Sequence, residues 1–526
     1  MISLEESTTN KIQSATLKEN NQVVLFGDSN IYESRPIGIY VLASFLRQHN
    51  VPTQTIWGWN QPTYHIFYGL CKKFLNEHVK IVGISSTLLF KPDDPNNLFG
   101  LDKEELYRRF TLIKKLAPNA KIIVGGSQVE FVNLSAIPGS EFIDLFVKGQ
   151  GEEALLEIVK AVTTNKKITT TSVAPALTSD AVYKYQNFAT TPLKFDSADC
   201  LVDGEAVAIE FSRGCIFKCS FCSYDLNGKR PGDYIKSKET LREELLYNYY
   251  KFGTTYYYAS DDLINDSEEK VDMLLEVSKS LPFKLTYSGY LRLDLIRRFP
   301  SMAAKLKESG LIACFFGIET INDDSGKAVG KGLGLERTTE ALDICHRGWN
   351  NEVLGTAGLI MGLPKDTSEY KYQLVDWLNS SRVRNVIKDC SVQPLFITPG
   401  LGISDIDKNP EKFGYYSQNE TMLEKNRYGL NHMDWKTDCY SLSQAIEDSE
   451  FVLNEFYKNL KFKTRIPTFR LPYILSLALN PDKILNTIIN DTPADWKNNV
   501  EFEKYLHNLT ENHRKKYIKL LLTGDK

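Results

Sequence analysis

Short apolar runs alternate with stretches of helical period along the first third of the chain. QVVLFGDSN ends an apolar run at Gly27 and Asp28, the pattern of a strand followed by a turn. RPIGIYVLASFLRQHN then places apolar residues at helical spacing, VPTQTIWGW reads as a second strand and HIFYGLCKKFLNEH as a second helix. VKIVGISSTLLF is a β-branched run of the kind buried on both faces of a parallel sheet. The helix KEELYRRFTLIKKLA, the strand AKIIVGG and the strand-to-helix stretch FIDLFVKGQGEEALLEIVKAV complete the series. This alternation predicts a Rossmann-like, doubly wound α/β domain over residues 21–165, behind a polar tail at 1–20. Ligands of such sheets sit beyond the carboxyl ends of the strands. The candidates there are Gly27 and Asp28, Ser86 and Leu88, Gly125 and Gly126, and Gly149 with Glu152. Their glycines admit a flat or phosphorylated ligand, and equally serve ordinary turns.

Residues 166–200, rich in Thr, Ser and Ala without a sustained period, read as a linker. Alternation resumes after 201. Helix KETLREELLYNYYKF, strand TTYYYASDD, helix SEEKVDMLLEVSKSL and strand FKLTYSGYLRLD are followed by three more helix–strand repeats ending at DCSVQPLFITPG. From 401 to 526 the pattern changes to a polar, aromatic-dotted segment and then helices, which predicts a mostly helical cap.

Bulk properties narrow the class. At 526 residues the chain exceeds a single core and suits about three domains. An apolar content of 42%, a charged content of 25% and a mean hydropathy of −0.29 are those of a globular protein. A net charge of −3 and a pI near 6.3 argue against a strongly basic nucleic-acid surface, while leaving room for a local basic patch. The nine cysteines show no disulfide framework, which fits a reducing cytoplasm. No run of about 18 apolar residues predicts a membrane span.

The chemistry gathers in GCIFKCSFCSY, where Cys215, Cys219 and Cys222 form Cys-x-x-x-Cys-x-x-Cys just after the apolar run AVAIEF. Three thiolates on one loop suit zinc, cuprous copper or an iron–sulfur cluster. A structural zinc site commonly brings a second ligand pair, and none follows; Cys200 upstream is the nearest further cysteine. A small hydrophobic cluster of cysteines is at odds with the polar Arg213, Lys218 and Ser220 around it.

The stretch resembles the signature of the radical S-adenosylmethionine (SAM) enzymes, including the aromatic Phe221 before the last cysteine. That resemblance implies a 4Fe-4S cluster on Cys215, Cys219 and Cys222, SAM chelated at the fourth iron, and a low-potential electron donor such as flavodoxin or ferredoxin. The six strand–helix units then suit a partial (β/α)6 barrel over 201–400, with chemistry at the strands' carboxyl ends. Asp261 and Asp262 there suit the methionine ammonium or the ribose, or else cap the helix beginning near Leu263. Arg292 suits the methionine carboxylate, or a structural salt bridge. Glu319 resembles an acid that binds ribose or amine, and equally suits a lysine partner. Gly358, Ile360 and Gly362 match a Gly-x-Ile-x-Gly strand that meets adenine, although Lys365 stands where that pattern has an acid. Lys327 and Lys331 resemble a lysine-bearing loop, or are simply solvated.

Within the superfamily, RPIGIYVLASFLRQH, VGISS, VGGSQ and GQGEEAL resemble the amino-terminal domain of the cobalamin-binding class. Ser86, Leu88, Gly125 and Gly126, with Gly149 and Glu152, would then face cobalamin. The Asp-x-His-x-x-Gly motif that ligates cobalt in many such domains is absent; the nearby histidines are His49 and His65. Two readings follow: cobalamin bound without a histidine, or a retained fold without the cofactor. The resemblance implies cobalamin-dependent methylation of an unactivated carbon in a small-molecule or peptide substrate. The alternatives are a cobalamin-independent rearrangement, dehydration or cyclisation and, from another class, a structural zinc or nucleic-acid-binding protein.

Overall fold

The computed structural model describes residues 21–28, 35–59, 63–86, 101, 103–126, 129, 139–147, 149–166, 188–222, 234–399, 404–418, 423–425, 431–458, 470–489 and 499–524. These fall into two compact units, one running to Asp203 and taking up again at Asn512, the other spanning Gly204 to Glu511.

In the first unit five parallel strands, β1 (Val23–Gly27), β2 (Thr53–Trp57), β3 (Ile81–Ser85), β4 (Lys121–Gly125) and β5 (Leu145–Val147), stand in the order β2-β1-β3-β4-β5. The order reverses between β1 and β3, a topological switch point of the flavodoxin type. Every residue of β1 is buried, as a central strand with helices on both faces requires. The helix Tyr64–Phe74 buries Phe67, Leu70, Cys71 and Phe74 at helical spacing. Phe67 and Phe74 share a core with Trp59, Phe110, Tyr517 and Leu521.

The expected linker is a packed part of this unit over 188–200. Asp196 and Asp199 form a capping box, and Asp199 then takes both arms of Arg47 at 2.8 Å and the Thr55 hydroxyl at 2.6 Å. Arg35, itself buried, donates to the carbonyls of Asp199 and Cys200 at 2.8 and 2.9 Å and lies over the Tyr517 ring at 4.4 Å. The Thr- and Ser-rich composition suggested a free connection because the acids that anchor it act across a separation of about 150 residues.

The second unit contains six parallel strands in strict chain order: β6 (Val207–Ile209), β7 (Tyr256–Ala259), β8 (Thr286–Leu291), β9 (Leu311–Glu319), β10 (Leu354–Met361) and β11 (Ile387–Pro394). A helix crosses between successive strands, giving the open (β/α)6 barrel with its strand ends on one side. Serine caps start two of these helices, Ser237 accepting from the amide of Thr240 and Ser267 from that of Lys270. Helices Arg470–Leu477 and Pro481–Ile489 bury Leu471, Ile474, Leu475 and Ile484 with Ile312, Leu354, Phe502 and Leu506 in a satellite core. Among the described residues no helix is long and apolar enough to cross a membrane.

Asp199 is the buried hub of the first unit, and losing one side of a buried ion pair typically costs about 3–5 kcal/mol. Asp199→Ala is expected to lower that unit's stability by about 3 kcal/mol, read by hydrogen exchange as faster opening of the amides of residues 53–57.

Candidate functional site

The cysteine loop is closed at its base before any ligand is considered. Ser212 bridges Ile235 in antiparallel fashion, and the amides of Arg213 and Lys236 donate to the carbonyls of Tyr234 and Phe211 at 3.0 and 2.9 Å. Between these ends Cys215, Cys219 and Cys222 are half-buried and form no disulfide. The Cys222 amide donates to the Cys219 carbonyl at 3.0 Å, so the last two cysteines share one tight turn. Ser220 within that turn is held from both sides: its amide donates to Val329, and its carbonyl accepts from Ile406, each at 3.0 Å. No sequence signal marked Ser220, because both partners are backbone groups more than 100 residues away.

Asp261, at the carboxyl end of β7, has a different job from the expected one. It is fully buried and accepts from the Phe211 amide at 2.9 Å and from the amide and hydroxyl of Ser212, the hydroxyl at 2.6 Å. Lys270, also fully buried, lies 3.4 Å away and donates to the Leu263 carbonyl at 2.7 Å. With its oxygens taken up by the start of the cysteine loop, Asp261 has no face left for ammonium or ribose. Asp262 is half-buried, and its charge, behind burial and together with Cys219, helps push the Cys215 thiol up to about 11.

Arg292 takes the second of its two expected roles, a structural salt bridge, and adds a contact to sulfur. Its Nε and Nη2 form a fork onto Asp294 at 2.9 and 2.8 Å, while Nη1 points at the Cys219 sulfur from 3.5 Å. The guanidinium lies 3.8 Å over the Phe217 ring. A fork committed to Asp294 leaves the planar bidentate geometry that a ligand carboxylate would use already filled.

Glu319, the last residue of β9, adopts φ of +64°, a conformation that costs a non-glycine residue about 1 kcal/mol or more. Its carboxylate pairs with Lys331 at 2.8 Å, both side chains being mostly covered, and Lys331 stands 5.8 Å from the centre of the Phe221 ring. The two alternatives for these residues thus merge: Glu319 has a lysine partner, and that lysine faces the cysteine loop. Lys327 is exposed beside Asp324. Gly317 makes room for the pair, since a Cβ there would meet Lys331 Nζ at 2.6 Å.

In β10 a Cβ at Gly358 would enter the Phe315 ring at 2.2 Å, whereas Ile360 is half-exposed in an otherwise buried strand. Gly362 has φ of +88°, and its Cβ would collide with buried Trp435 at 2.5 Å. The acid missing at Lys365 stands one residue later. Asp366 accepts from the amides of Gly362 and Leu363 at 3.1 and 3.0 Å and from the Ser325 hydroxyl at 2.7 Å. The polar segment after 404 supplies the cover: Tyr415 donates to the Gly362 carbonyl at 2.7 Å and Trp435 to that of Leu395 at 2.8 Å. Tyr416 is exposed, and His432 is buried edge-on to Phe396.

In the first unit the structure brings Ser86, Gly125 and Gly126 together at the ends of β3 and β4. The Ser86 amide donates to the Gly125 carbonyl at 2.6 Å, and a Cβ on Gly126, whose φ is +110°, would stand 3.0 Å from the Ser86 hydroxyl. Gly27 and Asp28 end β1, Gly149 follows β5, and Glu152 is buried at the start of the next helix. Leu88 lies outside the described residues. Cys200, the conceivable fourth thiolate, is buried in this unit's own core with Tyr517. Among the described residues no three His, Cys, Asp or Glu side chains are placed to hold a single metal ion.

Residues 209–378 match the radical SAM superfamily model. An uncharacterized methyltransferase of Pyrococcus horikoshii is 25% identical over 352 residues, 64% of this chain and 71% of that protein. The anaerobic magnesium-protoporphyrin IX monomethyl ester cyclase of Cereibacter sphaeroides is 23% identical over 299 residues, 50% of this chain and 46% of that one. Among solved structures, the radical SAM methyltransferase TsrM of Kitasatospora setae superposes with a TM-score of 0.61 at 15% identity, covering 94% of this chain and 99% of its own. The cobalamin-dependent SAM radical enzyme OxsB gives 0.57 at 14% identity, covering 97% and 81%.

Burial outweighs the three donors on Asp366 and lifts its carboxyl to about 7. A carboxyl raised in the folded state stabilises that state most below its unfolded value near 3.8, and this contribution is lost as pH rises through about 7. Amide exchange at Gly362 and Leu363 is therefore expected to quicken with a midpoint near 7. Asp366→Asn should abolish that step, since an amide keeps one acceptor for both backbone donors at any pH. From the matched barrel, the cysteine loop and the shared architecture together, residues 209–378 carry a radical SAM domain, within a chain that has the fold of TsrM and OxsB.

Proposed function

We propose that this enzyme holds a 4Fe-4S cluster on Cys215, Cys219 and Cys222, cleaves SAM reductively, and uses cobalamin in its amino-terminal unit to methylate an unactivated carbon. The observation that carries the reading is the cysteine loop itself: three unbridged, half-buried thiols with a guanidinium against one of them. The donor set fits the group. Three thiolates on one loop can ligate three irons of a four-iron cluster and leave the fourth free. Bound there, the cluster supplies one electron to the sulfonium of SAM, the chemistry that yields methionine and a 5′-deoxyadenosyl radical.

The remaining residues bind, orient and exclude water. Phe221 and Ile360 offer apolar surface to adenine at the carboxyl end of β10. Glu319 and Lys331 offer an acid and a base to the ribose and to the amino and carboxylate groups. Asp262 stands next to Asp261 and sets a negative charge near Cys215, whereas Asp261 and Arg292 act on the loop. Tyr415 and Trp435 close the end of β10 against solvent.

In the first unit Ser86, Gly125 and Gly126 form a group of small residues at the ends of β3 and β4 that suits the close approach of a corrin ring. Gly149 and Glu152 extend it beyond β5. With no Asp-x-His-x-x-Gly sequence, cobalamin would bind without a histidine ligand from that motif. TsrM and OxsB, whose structures hold cobalamin, share this architecture. The substrate is a small molecule or peptide, the electron donor a low-potential flavodoxin or ferredoxin, and the compartment a reducing cytoplasm.

Anaerobic reconstitution with iron and sulfide is expected to give a brown protein that releases 5′-deoxyadenosine with dithionite and SAM. Cys219→Ala should lose cluster absorbance and reduce that release at least 100-fold. A colourless wild-type protein would overturn the reading. Expression with cobalamin should yield bound corrinoid; a corrinoid-free, cobalamin-independent enzyme would leave radical chemistry of the rearrangement, dehydration or cyclisation kind.

A further inference from the structure

We infer that Arg292 is a positioning residue that raises the reduction potential of the cluster by holding a fixed positive charge against the Cys219 sulfur. The inference rests on the cluster reading above. The side chain is only 8% exposed, and its orientation is determined several times over. Asn265 clamps the backbone, accepting from the Arg292 amide at 2.9 Å and donating to its carbonyl at 3.0 Å. Asp294 holds Nε and Nη2, and the Phe217 ring, from the loop between Cys215 and Cys219, supports the guanidinium face at 3.8 Å. What remains is Nη1, and it faces sulfur at 3.5 Å.

Reducing the cluster by one electron adds one negative charge. A neighbouring cation with a donor aimed at a ligand sulfur stabilises the reduced form more than the oxidised one, so the potential rises. Exclusion of water strengthens the effect. Asp294, about one-third exposed, offsets part of the charge from the far side while fixing its direction. Arginine suits this role better than lysine, because its charge persists at every working pH and its plane allows the stack and the fork together.

The test uses the full chain, reconstituted anaerobically with iron and sulfide as wild type, Arg292→Gln, Arg292→Lys and Asp294→Asn. Iron and sulfide content and circular dichroism establish loading and fold, and an EPR-monitored titration gives the midpoint potential. Arg292→Gln is expected to shift the one-electron reduction equilibrium at least tenfold toward the oxidised cluster, a shift of about 59 mV to more negative potential. Arg292→Lys should recover part of it, and Asp294→Asn should move the potential the other way. A loaded Arg292→Gln protein with wild-type potential overturns the inference while leaving the cluster reading intact. If Arg292→Gln takes up no cluster, Asp294→Asn decides: a positive shift supports the inference and an unchanged potential overturns it. A wild-type chain that binds no cluster removes the reading beneath it.

Discussion

The second unit depends on one buried carboxylate. Asp261 gathers the Phe211 amide and both donors of Ser212, and so ties the first residues of the cysteine loop to the end of the neighbouring strand. Burying this group alone would be very costly, and burial does raise its carboxyl above the ordinary range. Lys270 and three hydrogen bonds to the loop offset that cost, and Lys270 is itself satisfied by the Leu263 carbonyl. A pair of this kind adds little net stability over an apolar substitute, but it dictates which backbone groups must meet. Here those groups set where the loop leaves β6.

From that anchor outward, successive strand ends each contribute one restraint to the loop. β8 presents Arg292 to Cys219, and the segment after β9 presents Lys331 to Phe221 and Val329 to Ser220. The strained Glu319 is tolerated because Lys331 holds its carboxylate and Gly317 leaves space for both. The end of β10 is closed by Asp366 from below and by Tyr415 and Trp435 from the cap segment. The parallel architecture makes this convergence possible, since all six strands finish on the same side.

The amino-terminal unit follows the same logic with other chemistry. Its polar strand β2 is buried because Asp199 and the carbonyl of Ala198 receive Thr55 and Gln54. A stretch that reads as linker thereby becomes a fourth side of the sheet's packing. Ser86, Gly125 and Gly126 bring small residues together at the ends of β3 and β4, beside the switch point between β1 and β3.

Much of this was legible in the sequence by itself. Alternating apolar runs and helical periods specify two sets of parallel strands, because a strand buried on both faces and a helix buried on one carry different periods. The cysteine spacing, with Phe221, pointed to the radical SAM superfamily, whose model matches residues 209–378, since close thiolates on a polar loop have few other uses. Tertiary structure alone decided which job each charged residue performs. Asp261 and Asp262 are adjacent and alike in sequence, yet one is sealed beneath the loop and the other is half-buried with its charge acting on Cys215. Arg292 was recognisable as a paired cation but not as a partner of sulfur, and Asp366 was overlooked one position beyond Lys365. The physical reason is that periodicity is a local property of the chain, whereas a carboxylate's role depends on which donors reach it, and those donors arrive from strands and loops distant in sequence.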